Sequence, residues 1–242
     1  MVCGISMSRR TETAPYDFLY CDYGQFFESL GYQLITLPNS SECLIDYFDS
    51  LPITALILSG GNDLSPEFTG NRPVDVRNSA PERDCAEQVL LAVAIERRMP
   101  VLGICRGMHF INCYFKGNLT QTIDEKIHVR QSHRISFCDD RIDPNQMTVN
   151  SYHHQGVRRD QISRQLEPLA FCMEDDLVEA LYHPDLPIVG IQWHPERLGL
   201  PKDDDTHLIK SFLEIDRYWR RIGEGDNSGG RRRETPAPVN KE

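Results

Sequence analysis

Two short segments bring together residue types that can carry out acyl transfer. Gly103-Ile104-Cys105-Arg106-Gly107 sets a cysteine between glycines, directly after the apolar pair Val101-Leu102. That arrangement is expected where a nucleophile stands on a sharp turn from strand to helix, because small neighbours permit a strained backbone. Cys105 would then lie at the N-terminus of a helix starting near Arg106, where free N–H groups and the helix dipole favour the attacking thiolate and Arg106 adds positive charge. Taken alone, the pentapeptide fits a buried structural cysteine before a glycine turn equally well. The second segment, Gly190-Ile191-Gln192-Trp193-His194-Pro195-Glu196, ends an apolar strand in a histidine. Pro195 restricts the chain, and an extended dipeptide points Glu196 the same way as His194. The imidazole could take the thiol proton and return it to a leaving amine, while the carboxylate fixes its tautomer and supports its charge. A lone histidine after a strand is more often structural. It is the pairing of the two segments that points to a Cys105–His194–Glu196 nucleophilic site.

The elements that must position these residues read as strands feeding helices. Residues 1–6, 32–37, 55–58 and 101–104 form short apolar runs, and 17–30, 80–98 and 108–115 carry helical spacing, the second of these helices stopped by Pro100. Recurring strand-helix pairs imply right-handed β-α-β units and a parallel sheet. Five β-like runs at 134–138, 147–150, 166–172, 177–182 and 188–193 predict an antiparallel extension or flap, and 205–221 predicts a last helix. The expected architecture is α/β, one domain over 1–222 followed by a disordered tail at 223–242 rich in Gly, Pro and charge.

Composition narrows the function classes. A chain of 242 residues with 40% hydrophobic and 26% charged positions suits one globular domain, and a net charge of -10 argues against a nucleic-acid surface. No stretch approaches the roughly 20 apolar residues of a membrane span, and the N-terminus lacks the pattern of a secretory leader, so a soluble cytoplasmic location is expected. The eight cysteines form no C-x-x-C pair, so reduced thiols acting mostly as small core hydrophobes are expected. His128 and His133 read as loop or structural histidines, and the pair His153-His154 lacks further ligands at convincing spacing, so no metal site and no cofactor are expected.

G-I-C-R-G, G-I-Q-W-H-P-E and the upstream L-S-G-G-N-D-L-S-P resemble the class I glutamine amidotransferase superfamily. The Arg after the nucleophile and V-N-S-Y-H-H-Q-G at 149–156 resemble, within it, the γ-glutamyl-γ-aminobutyrate hydrolases of peptidase family C26, with the similarity running from about residue 2 to residue 215. The resemblance implies a flavodoxin-like, three-layer open sheet, mostly parallel with a small antiparallel extension, and a site at the C-terminal ends of its strands. It implies the catalytic triad Cys105, His194 and Glu196, and an oxyanion hole in which the N–H of Gly61, in the loop it forms with Gly60, joins the N–H of Arg106. It also implies that Ser151, Tyr152 and His153 hold the ends of a glutamyl group. Without the resemblance Gly60-Gly61 is a plain turn. Arg83-Asp84 resembles a family signature, and a solvated charge pair at a helix start explains it equally well. His109 departs from the pattern, because it stands where amidotransferases commonly carry a Gln that helps hold the glutamyl moiety.

The leading reading is a metal-free hydrolase that acts on a small-molecule γ-glutamyl amide through a γ-glutamyl thioester and releases glutamate and an amine. The loop I-L-S-G-G-N-D-L and the segment D-Y-G-Q-F-F look similar to hydrolases that trim γ-glutamyl-CDP-amidate. The alternative is a glutaminase component supplying ammonia to a separate synthetase, and the third reading is a non-enzymatic binding module. Neither a nucleic-acid nor a membrane partner is expected, and a homodimer is left open.

Overall fold

The computed structural model describes residues 1–10, 14–39, 42–69, 78–138, 146–197 and 202–214. Its strands in chain order are β1 (Val2–Ser6), β2 (Ser8–Arg10), β3 (Tyr16–Phe18), β4 (Gln33–Leu37), β5 (Ala55–Leu58), β6 (Val101–Ile104), β7 (Val129–Phe137), β8 (Gln146–Tyr152), β9 (Glu167–Cys172), β10 (Val178–Tyr182) and β11 (Ile188–Ile191). The helices are α1 (Cys21–Ser29), α2 (Leu44–Ser50), α3 (Pro66–Thr69), α4 (Pro81–Glu96), α5 (Arg106–Tyr114), α6 (Glu125–His128) and α7 (Lys202–Leu213).

Nine strands form one sheet in the order β4-β1-β5-β6-β11-β10-β9-β7-β8. From β4 to β11 the neighbours are parallel, and from β11 to β8 they are antiparallel, so the extension continues the same sheet. The parallel strands are apolar on both sides because both faces are covered. In β5, Ala55 and Ile57 join the cluster with Tyr23 and Phe27 of α1 and Ile209 and Phe212 of α7. Leu56 and Leu58 join the opposite cluster with Leu44 of α2, Leu90 and Leu91 of α4 and Met108 and Phe110 of α5. The period-two alternation of a strand thus builds three layers. No helix among the described residues is long and apolar enough to cross a membrane.

Several boundaries differ from the sequence reading. The helix expected over 17–30 starts only at Cys21, because Tyr16–Phe18 pairs instead with Ser8–Arg10 in a two-stranded ribbon. Asp17 ties that ribbon down, accepting bonds from Arg9 Nη1 and from Asn39 N, each at 2.9 Å. α2, buried only through Leu44 and Phe48, is too short to show a period and was not expected. β7 begins five residues before the expected Arg134, since its first half is largely exposed and carries no apolar signal. The last helix covers Lys202–Leu213 and ends before Glu214, and residues 215–221 of its expected span and the tail at 223–242 lie outside the described residues. All eight cysteines are free, but Cys21, Cys43, Cys85 and Cys138 are exposed, so only half serve the core.

Candidate active site

Three adjacent parallel strands, β5, β6 and β11, deliver the chemistry at their C-terminal ends, where open α/β sheets bind their ligands. β6 ends at Ile104, and Cys105 turns the chain into α5 with φ 53° and ψ −105°. A side-chain-bearing residue held at positive φ marks a strained elbow of the kind that lifts a nucleophile clear of the sheet. The flanking glycines allow α5 to lie against the strands: a Cβ on Gly107 would stand 2.1 Å from the carbonyl oxygen of Leu58. The thiol is buried at the elbow, and its residue's N–H donates to Ile191 O at 2.8 Å, which ties the elbow to β11.

His194 follows β11 and faces this elbow. Its Nδ1 lies 2.5 Å from Glu196 Oε1, which leaves the other ring nitrogen for Cys105, and His194 and Cys105 line the same cavity. Burial works against the charged ring, yet the Glu196 carboxylate and Cys105 outweigh it and push His194 up to about 10. The main chain of His194 is held by Asn150 of β8, whose Nδ2 donates to His194 O at 2.7 Å while its Oδ1 accepts from His194 N at 2.8 Å. The ring of Tyr152 meets His194 edge to face at 6.0 Å, and the Arg197 guanidinium lies over Tyr152 at 4.1 Å.

The loop after β5 closes the site from the other side. Gly60 N–H donates to the buried Tyr23 hydroxyl at 2.8 Å, and Gly60 O accepts from Arg83 Nη1 at 3.0 Å, so both of its backbone groups are committed. A Cβ at Gly60 would lie 2.8 Å from His194 Cε1. Gly61, at φ 122°, turns into the cavity, and its N–H is taken by no other described residue. Arg106 opens α5, where a first-turn N–H has no partner inside the helix.

Beneath the loop, Arg83, Asp84, Glu87 and Arg106 form a buried network. Arg83 Nε donates to Glu87 Oε1 at 2.9 Å and its Nη2 to Ser59 O at 2.6 Å, while Arg106 pairs with both Glu87 and Asp84. Burial opposes ionisation of Glu87, but Arg106 and Arg83 hold its carboxyl below the ordinary value. Arg83-Asp84 is therefore not the solvated pair that its sequence position allowed: both side chains are turned inward by α4 to grip the loop and α5. The Arg106 guanidinium is likewise committed to two carboxylates and is not free to pair with the thiol.

The cavity over Cys105 measures about 340 Å³ and gathers Gly61, Arg106, His109, Tyr152, His153 and His194 around the thiol. Glu196 stands behind His194. Ser151 is turned away: fully buried, its hydroxyl donates to His128 O at 2.8 Å. His109 is held at 2.6 Å from Gln192 Oε1. Burial and the nearby Arg106 charge lower His109 to about 4, so it is neutral and donates through Nε2. Asn150, Tyr23 and Glu87 were not singled out from the sequence, since nothing local marks them. Ligand-type side chains also meet behind the Tyr152–His153 wall, where His128, His133 and Glu179 come together and His128 also reaches Cys172 and Asp175. α6, β7 and β10 thus bring together residues far apart in the chain.

The sequence profile of peptidase C26 matches residues 2–196. The γ-glutamyl-CDP-amidate hydrolase of Campylobacter jejuni is 30% identical over 217 residues, covering 89% of this chain and 94% of that one. The glutamine amidotransferase-like protein YvdE of Lactococcus lactis is 31% identical over 210 residues, covering 78% of this chain and 83% of that one. Among solved structures, a glutamine amidotransferase from Thermotoga maritima superposes with a TM-score of 0.55 at 15% identity, over 91% of this chain and 86% of that one. A GMP synthase component from Thermoplasma acidophilum superposes with a TM-score of 0.64 at 19% identity, over 93% of this chain and 98% of that one. Both likenesses concern the fold.

Proposed function

The chain belongs to the peptidase C26 family, and from that membership we propose that it is a cysteine hydrolase cutting a γ-glutamyl amide bond with Cys105, His194 and Glu196. The observation that carries the reading is that His194, held by Glu196 at 2.5 Å, and Cys105 line one cavity, with the thiol among the groups that raise the imidazole pKa. Cys105 Sγ attacks the γ-carbonyl, and its proton resides on His194, which the raised pKa keeps charged at neutral pH. Negative charge then develops on the carbonyl oxygen beside the N–H groups of Gly61 and Arg106. One preorganised donor of this kind lowers such a barrier by about 3 kcal/mol. His194 hands its proton to the departing amine, the γ-glutamyl group remains on Cys105 as a thioester, and water releases glutamate by the reverse sequence. Glu196 supports the imidazolium throughout.

The rim supports an anionic leaving group. Arg9, Arg10 and Arg197 border the cavity together with Phe18 and Tyr20, whose rings pair edge to face at 5.5 Å. Guanidinium groups suit phosphate or carboxylate, and aromatic faces suit a nucleobase. A γ-glutamyl nucleotide amidate, the substrate class named by the Campylobacter relative, uses both features, whereas γ-glutamyl-γ-aminobutyrate uses only the charge. Steady-state kinetics on glutamine, γ-glutamyl-γ-aminobutyrate and a γ-glutamyl cytidine-diphosphate amidate test this with the purified protein alone. The nucleotide amidate is expected to have the highest kcat/KM. Glutamine as the best substrate, or activity only with an added synthetase, would replace the reading by an ammonia-supplying glutaminase.

A further inference from the structure

Behind the substrate wall, four buried side chains from four separate elements point polar atoms at one another. His128 ends α6, His133 lies in β7, His153 follows β8 and Glu179 lies in β10. Each is at most 5% exposed. Glu179 Oε1 is 3.8 Å from His128 Nδ1, 3.2 Å from His133 Nε2 and 3.9 Å from His153 Nε2.

The far nitrogen of each ring is already engaged by an acceptor. His128 Nε2 is 2.9 Å from Asp175 Oδ2, His133 Nδ1 is 3.4 Å from Ile127 O, and His153 Nδ1 is 2.7 Å from Gln155 O. Those contacts put the proton of each neutral ring on its far side and turn the lone pair of the near nitrogen toward Glu179. The Ser151 hydroxyl does not relieve His128 Nδ1, because it donates to His128 O at 2.8 Å and stands 3.4 Å from the ring. His133 Nε2, His153 Nε2 and both carboxylate oxygens of Glu179 have no aligned hydrogen-bond partner. Acceptors gathered without donors in a dry interior are costly, and a proton or a metal ion among them relieves that cost. A proton on His133 serves one contact with Glu179 and leaves the lone pairs of His128 and His153 facing the same carboxylate.

A tetrahedral ion with bonds of about 2.0–2.1 Å sets its ligand atoms roughly 3.3 Å apart. Glu179 and His133 already stand 3.2 Å apart, and His128 at 3.8 Å and His153 at 3.9 Å need only small side-chain movements to close on the same point. Histidine nitrogens with a carboxylate suit zinc and its neighbours, and a second acceptor on the far nitrogen is the usual support of a metal-bound imidazole. We infer that His128, His133 and Glu179 bind one divalent transition-metal ion of the zinc type, with His153 closing the site from the substrate side. The ion ties β7 and β10 to the segment that carries Asn150, Tyr152 and His153. It is thus a clamp on the wall of the active site and takes no part in the reaction.

The test uses tag-free full-length Cys105→Ala protein, so that the nucleophile cannot supply a competing thiolate. After chelator dialysis, zinc is titrated in competition with a chromophoric chelator, and cobalt is loaded in parallel. One zinc per chain and a tetrahedral cobalt spectrum without a thiolate-to-cobalt band are expected. Asp175→Asn, which removes only the acceptor behind His128, should weaken binding about 10- to 100-fold, while His133→Ala and Glu179→Gln should weaken it further. Absence of a saturable site, affinity unchanged by His133→Ala and Glu179→Gln, or a thiolate-to-cobalt band pointing to Cys172 would overturn the proposal. Should a variant fail to fold, as judged by circular dichroism, the zinc stoichiometry and cobalt spectrum of the chain without that change decide the matter.

Discussion

Asn150 grips His194 through both main-chain groups at once, with its amide donating at 2.7 Å and accepting at 2.8 Å. The imidazole therefore takes its position from an antiparallel strand, β8, as well as from β11, which precedes it. Because a displacement of about 1 Å in a catalytic group can cost about 100-fold in rate, Asn150→Ala should lower kcat by about 10- to 100-fold. KM for the same substrate should change little. Steady-state kinetics check this, and a variant with unimpaired kcat would show that β11 alone suffices to hold the ring.

Removing the proposed nucleophile, base and supporting carboxylate one at a time should have unequal effects. Cys105→Ala and His194→Ala are each expected to abolish measurable glutamate release. The loss in Glu196→Gln should be smaller by about 10- to 100-fold, as for the orienting carboxylate of a comparable triad. Equal activity of Glu196→Gln and the unmodified protein would remove Glu196 from the site.

The pH dependence follows from the charge on His194. Its folded pKa of about 10 stands above the unfolded value of ~6.5, so its stabilising contribution is complete below the lower value and is lost as pH rises through the upper one. The alkaline limb of kcat/KM should lie near 10, where the proton for the leaving amine disappears. Glu196→Gln removes the main charge that raises the pKa and should move that limb to lower pH. A pH-rate profile unchanged by this substitution would contradict the assignment.

Gly107 offers a test of the elbow in which the sign decides. Alanine at an open helix position stabilises by about 0.5–1 kcal/mol relative to glycine. Here the added Cβ would meet the backbone oxygen of Leu58 at 2.1 Å, and backbone cannot rotate away. Gly107→Ala should therefore destabilise by about 1–3 kcal/mol in denaturant melts. A neutral or stabilising result would show that α5 is free to lift from the strands.

The features legible in the sequence were those written within a few neighbouring residues. Gly103 to Gly107 spells a turn that only small residues allow, and Ile191 to Glu196 spells a strand ending in two side chains on one side, so the places of Cys105 and His194 could be read directly. The apolar runs of β5, β6 and β11 likewise showed a sheet covered on both faces. What was hidden depends on distant partners. Charge at a helix start reads as solvated until α4 turns Arg83 and Asp84 under the loop after β5. Glu179 looks like any acidic residue on a strand, and its three histidines lie 26 to 51 positions earlier in the chain. The lone pairs that meet there are set by strand order and register, for which sequence spacing carries no signal.

The most direct test of the central claim is to mix the purified protein, with no partner, with a γ-glutamyl amide, quench during turnover and map the digest by mass spectrometry. The account predicts one γ-glutamyl group attached to the peptide containing Cys105, accumulating and decaying in step with release of glutamate and free amine, and absent from Cys105→Ala. Glutamate release at an undiminished rate by Cys105→Ala, or an acyl group carried on another residue, would contradict it.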